Sequence, residues 1–313
     1  MPYNQRVSND ANDSVNASTR YCAVFGHPIR HSASPAMQNA GLAALGLNWR
    51  YLAFDVHPED LRPAIEGARR MGFIGLNLTV PHKVPALEMI DVLDEQARTW
   101  GAINTIVFES RDPAGQWAPV GGLDGPPEQP VRGRGFNTDA DAIARALKEE
   151  FSGDILRGAT VLLLGAGGAA RAAALRLARE GVAAFYLVNR TEARAAELAA
   201  ELANSYPGVA AVPGYPPESA DLVINATPLG LKAEDPLPID PQWFRARRPR
   251  FVYDMIYRPM ETALLRLARQ TGCRAANGAG MLLHQGARAL ELWTGRPAPL
   301  PVMRAALEKN LYG

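Results

Sequence analysis

Val161-Leu-Leu-Leu-Gly165-Ala166-Gly167-Gly168-Ala169-Ala170-Arg-Ala, followed by Phe185-Tyr-Leu-Val-Asn189-Arg190-Thr191, decides the fold. The first piece reads as a buried strand, a glycine turn and a helix, and the second as the next strand. That is a βαβ unit of the dinucleotide-binding kind. In the pattern GxGxxA, Gly165 permits the tight turn and Gly167 lets backbone approach a pyrophosphate. Ala170 allows close helix–strand packing, and the helix N-terminus offers N–H groups and a positive dipole end. The NAD-selecting version ends its second strand with an acidic residue that holds the ribose 2′-hydroxyl. Here Asn189-Arg190-Thr191 stands at that point, with Arg194 a further candidate. A carboxylate would repel a 2′-phosphate, whereas a guanidinium and a hydroxyl bind it. The stretch therefore implies NADP(H). The plainer reading of the same residues is a solvated strand end with Thr191 capping the next helix.

Outward from this unit, strand and helix patterns alternate over most of the chain. The nucleotide domain is expected to carry strands at Thr160–Gly165, Ala184–Asn189, Asp221–Ala226 and Arg250–Met255, with a short one near Cys273–Ala276. Glu192 to Leu202 places alanine and leucine at helical spacing. Earlier in the chain, strands are expected at Tyr21–Gly26, Trp49–Asp55, Phe73–Thr79 and Ile103–Glu109, the last paired with Val131–Gly135. Helices are expected from Ser34-Pro35, with serine as N-cap, to Leu45; from Pro58 to Met71; in pieces from Lys83 to Arg98; and from a Thr138 cap to Glu150. The Gly- and Pro-rich segment Pro113–Pro130 reads as a long, mobile hairpin loop. Alternation of this kind predicts an α/β protein with mostly parallel sheets. The expected domains are a disordered tail at 1–19, a substrate domain at 20–138 to which the helices of 279–313 return, and a Rossmann domain at 139–278, with a cleft between the last two.

The bulk numbers bound the function. The chain has 313 residues, 47% hydrophobic and 21% charged, with a net charge of +1. Such a balance leaves no electrostatic footprint for nucleic acid or an anionic membrane. No apolar run approaches the roughly 18 residues of a membrane span. The polar first 19 residues lack the apolar core of a signal peptide. Cys22 and Cys273 lie in separate expected strands and read as buried free thiols, which fits a reducing cytoplasm. His27 and His31 stand four apart, but Gly26 and Pro28 make that stretch a loop with no third ligand close in sequence, so no metal is expected.

Polar residues cluster where strands of the N-terminal half end: Ser32 and Ser34; Asn77, Thr79 and Lys83; Asn104 and Thr105; Asn137, Thr138 and Asp139. Ligands of α/β sheets gather at the carboxyl ends of strands. Each cluster also has a plain explanation, Ser34 as a cap and Asp139 as a first-turn carboxylate favoured by the helix dipole. Taken together, Gly26-His-Pro-Ile-Arg-His-Ser-Ala-Ser-Pro35, Asn77-Leu-Thr-Val-Pro-His-Lys83, Gly101-Ala-Ile-Asn-Thr105 and Gly135-Phe-Asn-Thr-Asp139 resemble the signatures of the shikimate dehydrogenase family, in that family's order. So do Asn225-Ala-Thr-Pro-Leu-Gly230, Asp254-Met-Ile-Tyr-Arg-Pro259 and Asn277-Gly-Ala-Gly-Met-Leu-Leu-His-Gln-Gly286. The resemblance covers Tyr21 to Leu311.

The resemblance implies an NADP-dependent reduction of 3-dehydroshikimate to shikimate in aromatic amino-acid biosynthesis. It implies that Ser32 and Ser34 bind the substrate carboxylate. Thr79, Asn104, Asp139, Tyr257 and Gln285 would bind the remaining substrate groups, and Lys83 and Asp139 would form the catalytic pair. It also implies that Thr227, Met255, Gly278 and Met281 border the nicotinamide, and that Glu95 contacts the cofactor. Such residue types suit the chemistry: a ketone accepting hydride needs a cation at the developing alkoxide and an acid to protonate it. Met37-Gln38-Asn39 departs from the usual pattern and, with Pro28–Asn39 as a whole, looks more like the quinate/shikimate subgroup. Leu231 replaces a frequent methionine, a swap read as packing. The rival readings are therefore a quinate/shikimate dehydrogenase of broader NAD/NADP use, a glutamyl-tRNA reductase, and a silent NADP-binding regulator. The reductase needs an N-terminal nucleophilic cysteine, and only Cys22 stands there. Monomers and homodimers both remain open.

Overall fold

The computed structural model describes residues 15–123, 125, 127 and 130–313. They form two compact units. One comprises the described residues through Asp94, Ile103–Phe136 and Ala287–Leu307; the other comprises Glu95–Ala102, Asn137–Gly286 and Glu308–Gly313.

The first unit is built on β1 (Arg20–Gly26), α1 (Ser34–Ala44), β2 (Trp49–Asp55), α2 (Leu61–Arg70), β3 (Gly75–Leu78), β4 (Val92–Leu93), β5 (Thr105–Arg111), β6 (Trp117–Pro119) and β7 (Val131–Phe136). Its sheet runs β2-β1-β3-β5-β7-β4, with β6 on β5. The apolar run of β1 is buried from Cys22 to Gly26 and pairs parallel to both β2 and β3. β5, however, lies antiparallel to β3, β6 and β7, so this sheet is mixed rather than mostly parallel. For β5 and β7 the reason is local: the described residues between them hold β6 and a 3-10 turn but no α-helix, and a parallel return needs a crossover.

The segment expected to be a mobile loop holds β6 and a 3-10 turn at Val120–Gly122. Arg111 and Arg132 stand 4.4 and 4.2 Å over the Trp117 ring, which fixes it by cation–π attraction. Positions 124, 126, 128 and 129 of that segment lie outside the described residues, as do residues 1–14 of the expected tail. Its last residues form a turn, in which the Thr19 hydroxyl accepts from Asn16 N and donates to Asn48 Oδ1, each at 2.9 Å. Further boundaries also differ from expectation. Pro58–Asp60 is a 3-10 turn ahead of α2, and the pieces after Lys83 include β4 as well as a 3-10 turn at Pro85–Met89.

The core of this unit is closed by residues from late in the chain. Trp293 is fully buried and its indole N–H donates to the Ile106 carbonyl at 3.0 Å. A Cβ on Gly75 would collide with that indole, and one on Gly41 would stand 2.9 Å from Leu290 and 3.1 Å from Met303. Gly75 is therefore required by close approach, whereas at Gly41 the ends of two flexible side chains would have to shift.

The second unit contains α3 (Glu95–Trp100), α4 (Asp139–Phe151), β8 (Thr160–Leu164), α5 (Gly168–Arg179), β9 (Ala184–Val188), α6 (Glu192–Ser205), β10 (Ala210–Pro213), β11 (Leu222–Asn225), α7 (Pro241–Arg247), β12 (Phe251–Asp254), α8 (Ala263–Gln270), β13 (Arg274–Ala276) and the start of α9 (Ala279–Thr294). α10 (Leu300–Tyr312) follows, with only its end in this unit. All six strands are parallel in the order β10-β9-β8-β11-β12-β13, the doubly wound Rossmann arrangement. Alternation along β8 sends Val161 and Leu163 to a core shared with Ile143, Leu147, Ala174 and Leu177. Leu162 and Leu164 go to a second core with Phe244, Leu264 and Leu265. β10 was not foreseen from the sequence; it is a partly exposed edge strand with little apolar signal. Among the described residues no helix is long and apolar enough to cross a membrane.

Candidate active site

The glycine turn of the second unit lies where β8 ends. Gly165 takes φ +107, and a Cβ there would stand 3.0 Å from the Ala226 carbonyl and 3.2 Å from the Thr227 methyl. Gly167 caps α5 in extended backbone with no side-chain cap, and a Cβ on Gly167 or Gly168 would meet nothing within 4 Å. Helix N–H groups thus open onto free space large enough for an anion to approach, which fits a pyrophosphate. Asn189 closes the turn: its Oδ1 accepts from Ala166 N at 3.2 Å and its Nδ2 donates to the Thr191 carbonyl at 2.9 Å. Arg190 and Arg194 are exposed and, among the described residues, neither is held in an ion pair. Thr191 occupies the N-cap position of α6, as the plainer reading expected, but its side chain makes no capping bond. Arg190, Thr191 and Arg194 fit a 2′-phosphate.

The other end of this surface is set by β11, β12 and β13. Met255 N donates to the Asn225 carbonyl at 3.0 Å, and Gly278 N to the Ile256 carbonyl at 3.1 Å. A Cβ on Gly278 would collide with the Met255 carbonyl, so only glycine fits there. Met281 N donates to the buried Tyr253 hydroxyl at 3.3 Å. Gly165, Thr227, Met255, Gly278 and Met281 are thereby gathered at neighbouring strand ends. Tyr257 is half-buried, and burial pushes its hydroxyl up, with Arg258 opposing. Gln285 is buried and donates to the Leu282 carbonyl at 2.8 Å. Glu95 opens α3 as an exposed side chain, its carbonyl accepting from Thr99.

Asp139 lies in the first turn of α4, half-buried, where the helix dipole favours its carboxylate. The cap of α4 is Asn137 rather than the expected Thr138: the Asn137 Oδ1 accepts from Asp139 N at 3.1 Å and Ala140 N at 3.2 Å. Thr138 occupies the cap position with its side chain making no capping bond, because Asn137 reaches both amides first.

In the first unit the polar candidates share a buried lattice. The Tyr51 hydroxyl donates to Asn77 Oδ1 at 2.8 Å, and Asn77 Nδ2 donates to the Asn104 carbonyl and Thr105 Oγ1, each at 3.0 Å. Thr105 Oγ1 in turn donates to Asn104 Oδ1 at 3.3 Å. Burial raises the Tyr51 hydroxyl well above its ordinary value, Cys22 adds to this, and a hydrogen bond with Ser34 opposes it. Ser34 was expected to cap α1; Ala33 occupies that position and Ser34 is the first helical residue. Its hydroxyl faces Tyr51 instead. Ser34 N donates to Ser32 Oγ at 3.4 Å, which sets the Ser32 hydroxyl at the start of α1. Lys83 is half-buried at the end of the Thr79 turn, its carbonyl accepting from Ile103 N at 2.9 Å. Next to it His82 is fully buried, Nε2 bonded to the Val56 carbonyl at 2.9 Å.

Three other histidines have structural partners: His27 Nδ1 meets Asp55 at 2.6 Å, His57 accepts from Glu59 N, and His284 meets Glu149 at 2.7 Å, while His31 is exposed. Cys22 and Cys273 are free and buried. Burial drives the Cys22 thiol far up, which unsuits it as a nucleophile. Gln38 is fully buried, and Asn39 bonds Tyr51 N and O at 2.9 Å, so the unusual Met37-Gln38-Asn39 docks α1 on β2. Leu231 is 56% exposed, so its exchange is not one of core packing. Sequence reasoning assigned no role to Tyr51, Asn225 or Asp254. A polar residue inside an otherwise apolar strand was the available signal.

A doubly wound sheet with an open glycine turn at its central strand end defines the dinucleotide-binding class. The model of the shikimate dehydrogenase substrate binding domain matches residues 24–106. That of shikimate / quinate 5-dehydrogenase matches 146–230, and that of the shikimate 5′-dehydrogenase C-terminal domain matches 278–308. A shikimate dehydrogenase (NADP(+)) of Moorella thermoacetica is 44% identical over 309 residues, covering 95% of each chain. A crystal structure of a shikimate dehydrogenase in complex with NADP+ superposes with a TM-score of 0.82 at 33% identity, over 96% of this chain and 98% of the other. One from Thermus thermophilus, in complex with NADP(H) and shikimate, gives 0.76 at 34% identity, over 93% and 100%. The chain belongs to the shikimate dehydrogenase family.

Proposed function

We propose that this protein is an NADP-dependent shikimate dehydrogenase that reduces 3-dehydroshikimate to shikimate. The observation that carries the reading is the open glycine turn closed by Asn189 and followed by the exposed Arg190. It occurs in a chain 44% identical, nearly end to end, to an NADP-dependent relative. Ser32 and Ser34 would bind the substrate carboxylate, and Thr79, Asn104, Tyr257 and Gln285 the ring hydroxyls and the carboxylate's other side. The Tyr51–Asn77–Asn104 lattice holds that end of the site rigid without exposing its own polar groups to water.

When bound, NADPH would supply hydride to the ketone carbon, the carbonyl π electrons passing to its oxygen. The Lys83 ammonium would stabilise the developing charge and deliver the proton, giving the alcohol. Asp139 would orient that ammonium and accept a bond from a substrate hydroxyl, and its charge would favour the protonated lysine. Gly165, Ala166, Gly167, Gly168 and Ala169 would cradle the pyrophosphate. Asn189, Arg190, Thr191 and Arg194 would hold the adenosine end. Thr227, Met255, Gly278 and Met281 would border the nicotinamide, with Glu95 a further cofactor contact. On this reading the protein works in the cytoplasm as a monomer or homodimer, with the substrate domain at 20–138 and 279–313 and the nucleotide domain at 139–278.

The test is a steady-state assay crossing shikimate and quinate with NADP and NAD. A dominant kcat/KM for shikimate with NADP is expected. Comparable turnover of quinate, or of NAD, would replace this reading with a broader quinate/shikimate dehydrogenase. Lys83→Ala is expected to lower kcat about 100-fold or more, the scale of a lost general acid, while NADPH still binds. Binding of NADPH without turnover of any cyclohexenyl acid would leave a regulator.

A further inference from the structure

The carboxylate of Asp254 is the least accounted-for group in the second unit. It ends β12, is fully shielded from water, and among the described residues is paired with no cation. Burying an unpaired carboxylate is costly unless its oxygens are hydrogen-bonded. Here both are bonded. Oδ1 accepts from Asn225 Nδ2 at 3.0 Å and Ile256 N at 3.1 Å, and Oδ2 accepts from Thr262 Oγ1 at 2.7 Å. Burial pushes the carboxyl upward in pKa, partly opposed by these three bonds.

Asn225, also fully buried, relays the constraint. Its Oδ1 accepts from Thr227 N at 3.0 Å and Thr227 Oγ1 at 2.7 Å, and its Nδ2 donates to the Leu229 carbonyl at 3.1 Å and to Asp254. All four hydrogen-bonding positions of the amide are used. The amide cannot flip, because one end must face a backbone N–H and the other a backbone carbonyl. Its remaining N–H therefore needs an acceptor, and Asp254 is that acceptor. Thr227 Oγ1 then accepts from Leu229 N at 3.2 Å, which completes the turn and fixes the threonine rotamer with its methyl toward Gly165.

We propose that Asp254 is a positioning residue for the nicotinamide-side turn of the cofactor site, acting through Asn225 on Thr227 and Leu229. The inference rests on the NADP reading above. It differs from a purely structural role, in which Asp254 would serve only to anchor Thr262, the cap of α8, whose Oγ1 accepts from Leu265 N at 3.2 Å.

The two roles separate by substitution. Asp254→Asn keeps a carbonyl oxygen for Asn225 and Ile256 and loses the acceptor for Thr262. Asp254→Ala loses both, and Thr262→Val loses only the α8 side. NADPH binding is followed by fluorescence titration of the full chain, and adenosine 2′,5′-bisphosphate, which reaches only the adenosine end, by calorimetry. Asp254→Ala and Asn225→Ala are each expected to weaken NADPH about tenfold, and their combination no further, since both break one relay. Asp254→Asn and Thr262→Val are expected to stay within about threefold of wild type, and the bisphosphate to bind every variant equally. Unchanged NADPH affinity in Asp254→Ala, additive losses in the double variant, or parallel losses of the bisphosphate would overturn the proposal. If Asp254→Ala does not fold, Asp254→Glu decides. The extra methylene misplaces the carboxylate, so a tenfold loss for NADPH supports the relay and wild-type affinity refutes it. Wild-type protein that binds no NADPH at all would overturn the function itself, a distinct result.

Discussion

Replacing Arg190 with alanine tests the nucleotide preference at its source. The guanidinium is exposed at the end of β9, just past the asparagine that closes the glycine turn. A hydrogen bond to a charged partner contributes roughly 1.5–3 kcal/mol. Solvent exposure draws the value to the lower end, since two charges about 4 Å apart in water interact by only about 1 kcal/mol. Taking about 1.5–2 kcal/mol, at about 1.4 kcal/mol per tenfold, the loss in kcat/KM for NADP is about 10- to 30-fold. NAD has no 2′-phosphate, so its kcat/KM is expected to stay put, and the NADP/NAD ratio to fall by the same factor. The loss should reside in KM, because the phosphate lies at the end of the cofactor away from the chemistry. Added salt should shrink the wild-type preference more than that of the variant. The assay is shikimate oxidation with each nucleotide at two ionic strengths. An Arg190→Ala enzyme with an unaltered NADP/NAD ratio refutes the reasoning, and the preference must then come from Thr191 or Arg194.

Gly167→Ala is expected to leave the melting temperature unchanged, because its new methyl meets nothing within 4 Å, yet to weaken NADPH at least tenfold by filling the space a pyrophosphate needs. Calorimetry of the same sample reads both. Trp293→Phe removes the bond to the Ile106 carbonyl and leaves that acceptor buried, which costs about 1–3 kcal/mol and is read as a lower urea midpoint. His82 carries a pKa held down mainly by burial. Its neutral form is favoured in the folded state, so stability is full above the unfolded value of about 6.5 and declines as pH falls below it. Urea midpoints between pH 8 and 5 should show that decline in wild type and a shallower one in His82→Gln.

The second unit was legible because its central strands β8, β11 and β12 are buried on both faces and read as continuous apolar runs. Its glycine turn stood out because an apolar strand precedes it and a helix and a second strand follow. The first unit was harder. The hairpin pairing of β5 with β7 was expected, but β5 is buried along nearly its whole length, so nothing in its pattern announced that it would also run antiparallel to β3. β6 hides among glycines and prolines and is held by two arginines over Trp117, a contact between residues no periodicity connects. β10 escaped notice because an exposed edge strand has no apolar stripe to show. The candidate site followed the same division. Lys83, Asn104 and Arg190 stood out at strand ends. Tyr51, Asn225 and Asp254 work through partners about 30 residues away, a distance over which sequence alone carries no pairing signal. Asn137 outcompeted Thr138 as a cap because its longer side chain reaches two amides at once.

The tryptophan at position 293 also sets an order of events at the ribosome. Its acceptor, Ile106, leaves the exit tunnel 187 residues earlier, about 10–40 s at ordinary synthesis rates. Throughout that interval the mixed sheet lacks the indole, Leu290 and Met303 that close it, while the parallel sheet is already complete by Ala276. The sheet made first is thus the sheet closed last. A free fragment ending at Gly286 should show the parallel sheet resistant to protease and the mixed sheet that leads to Lys83 still open to it.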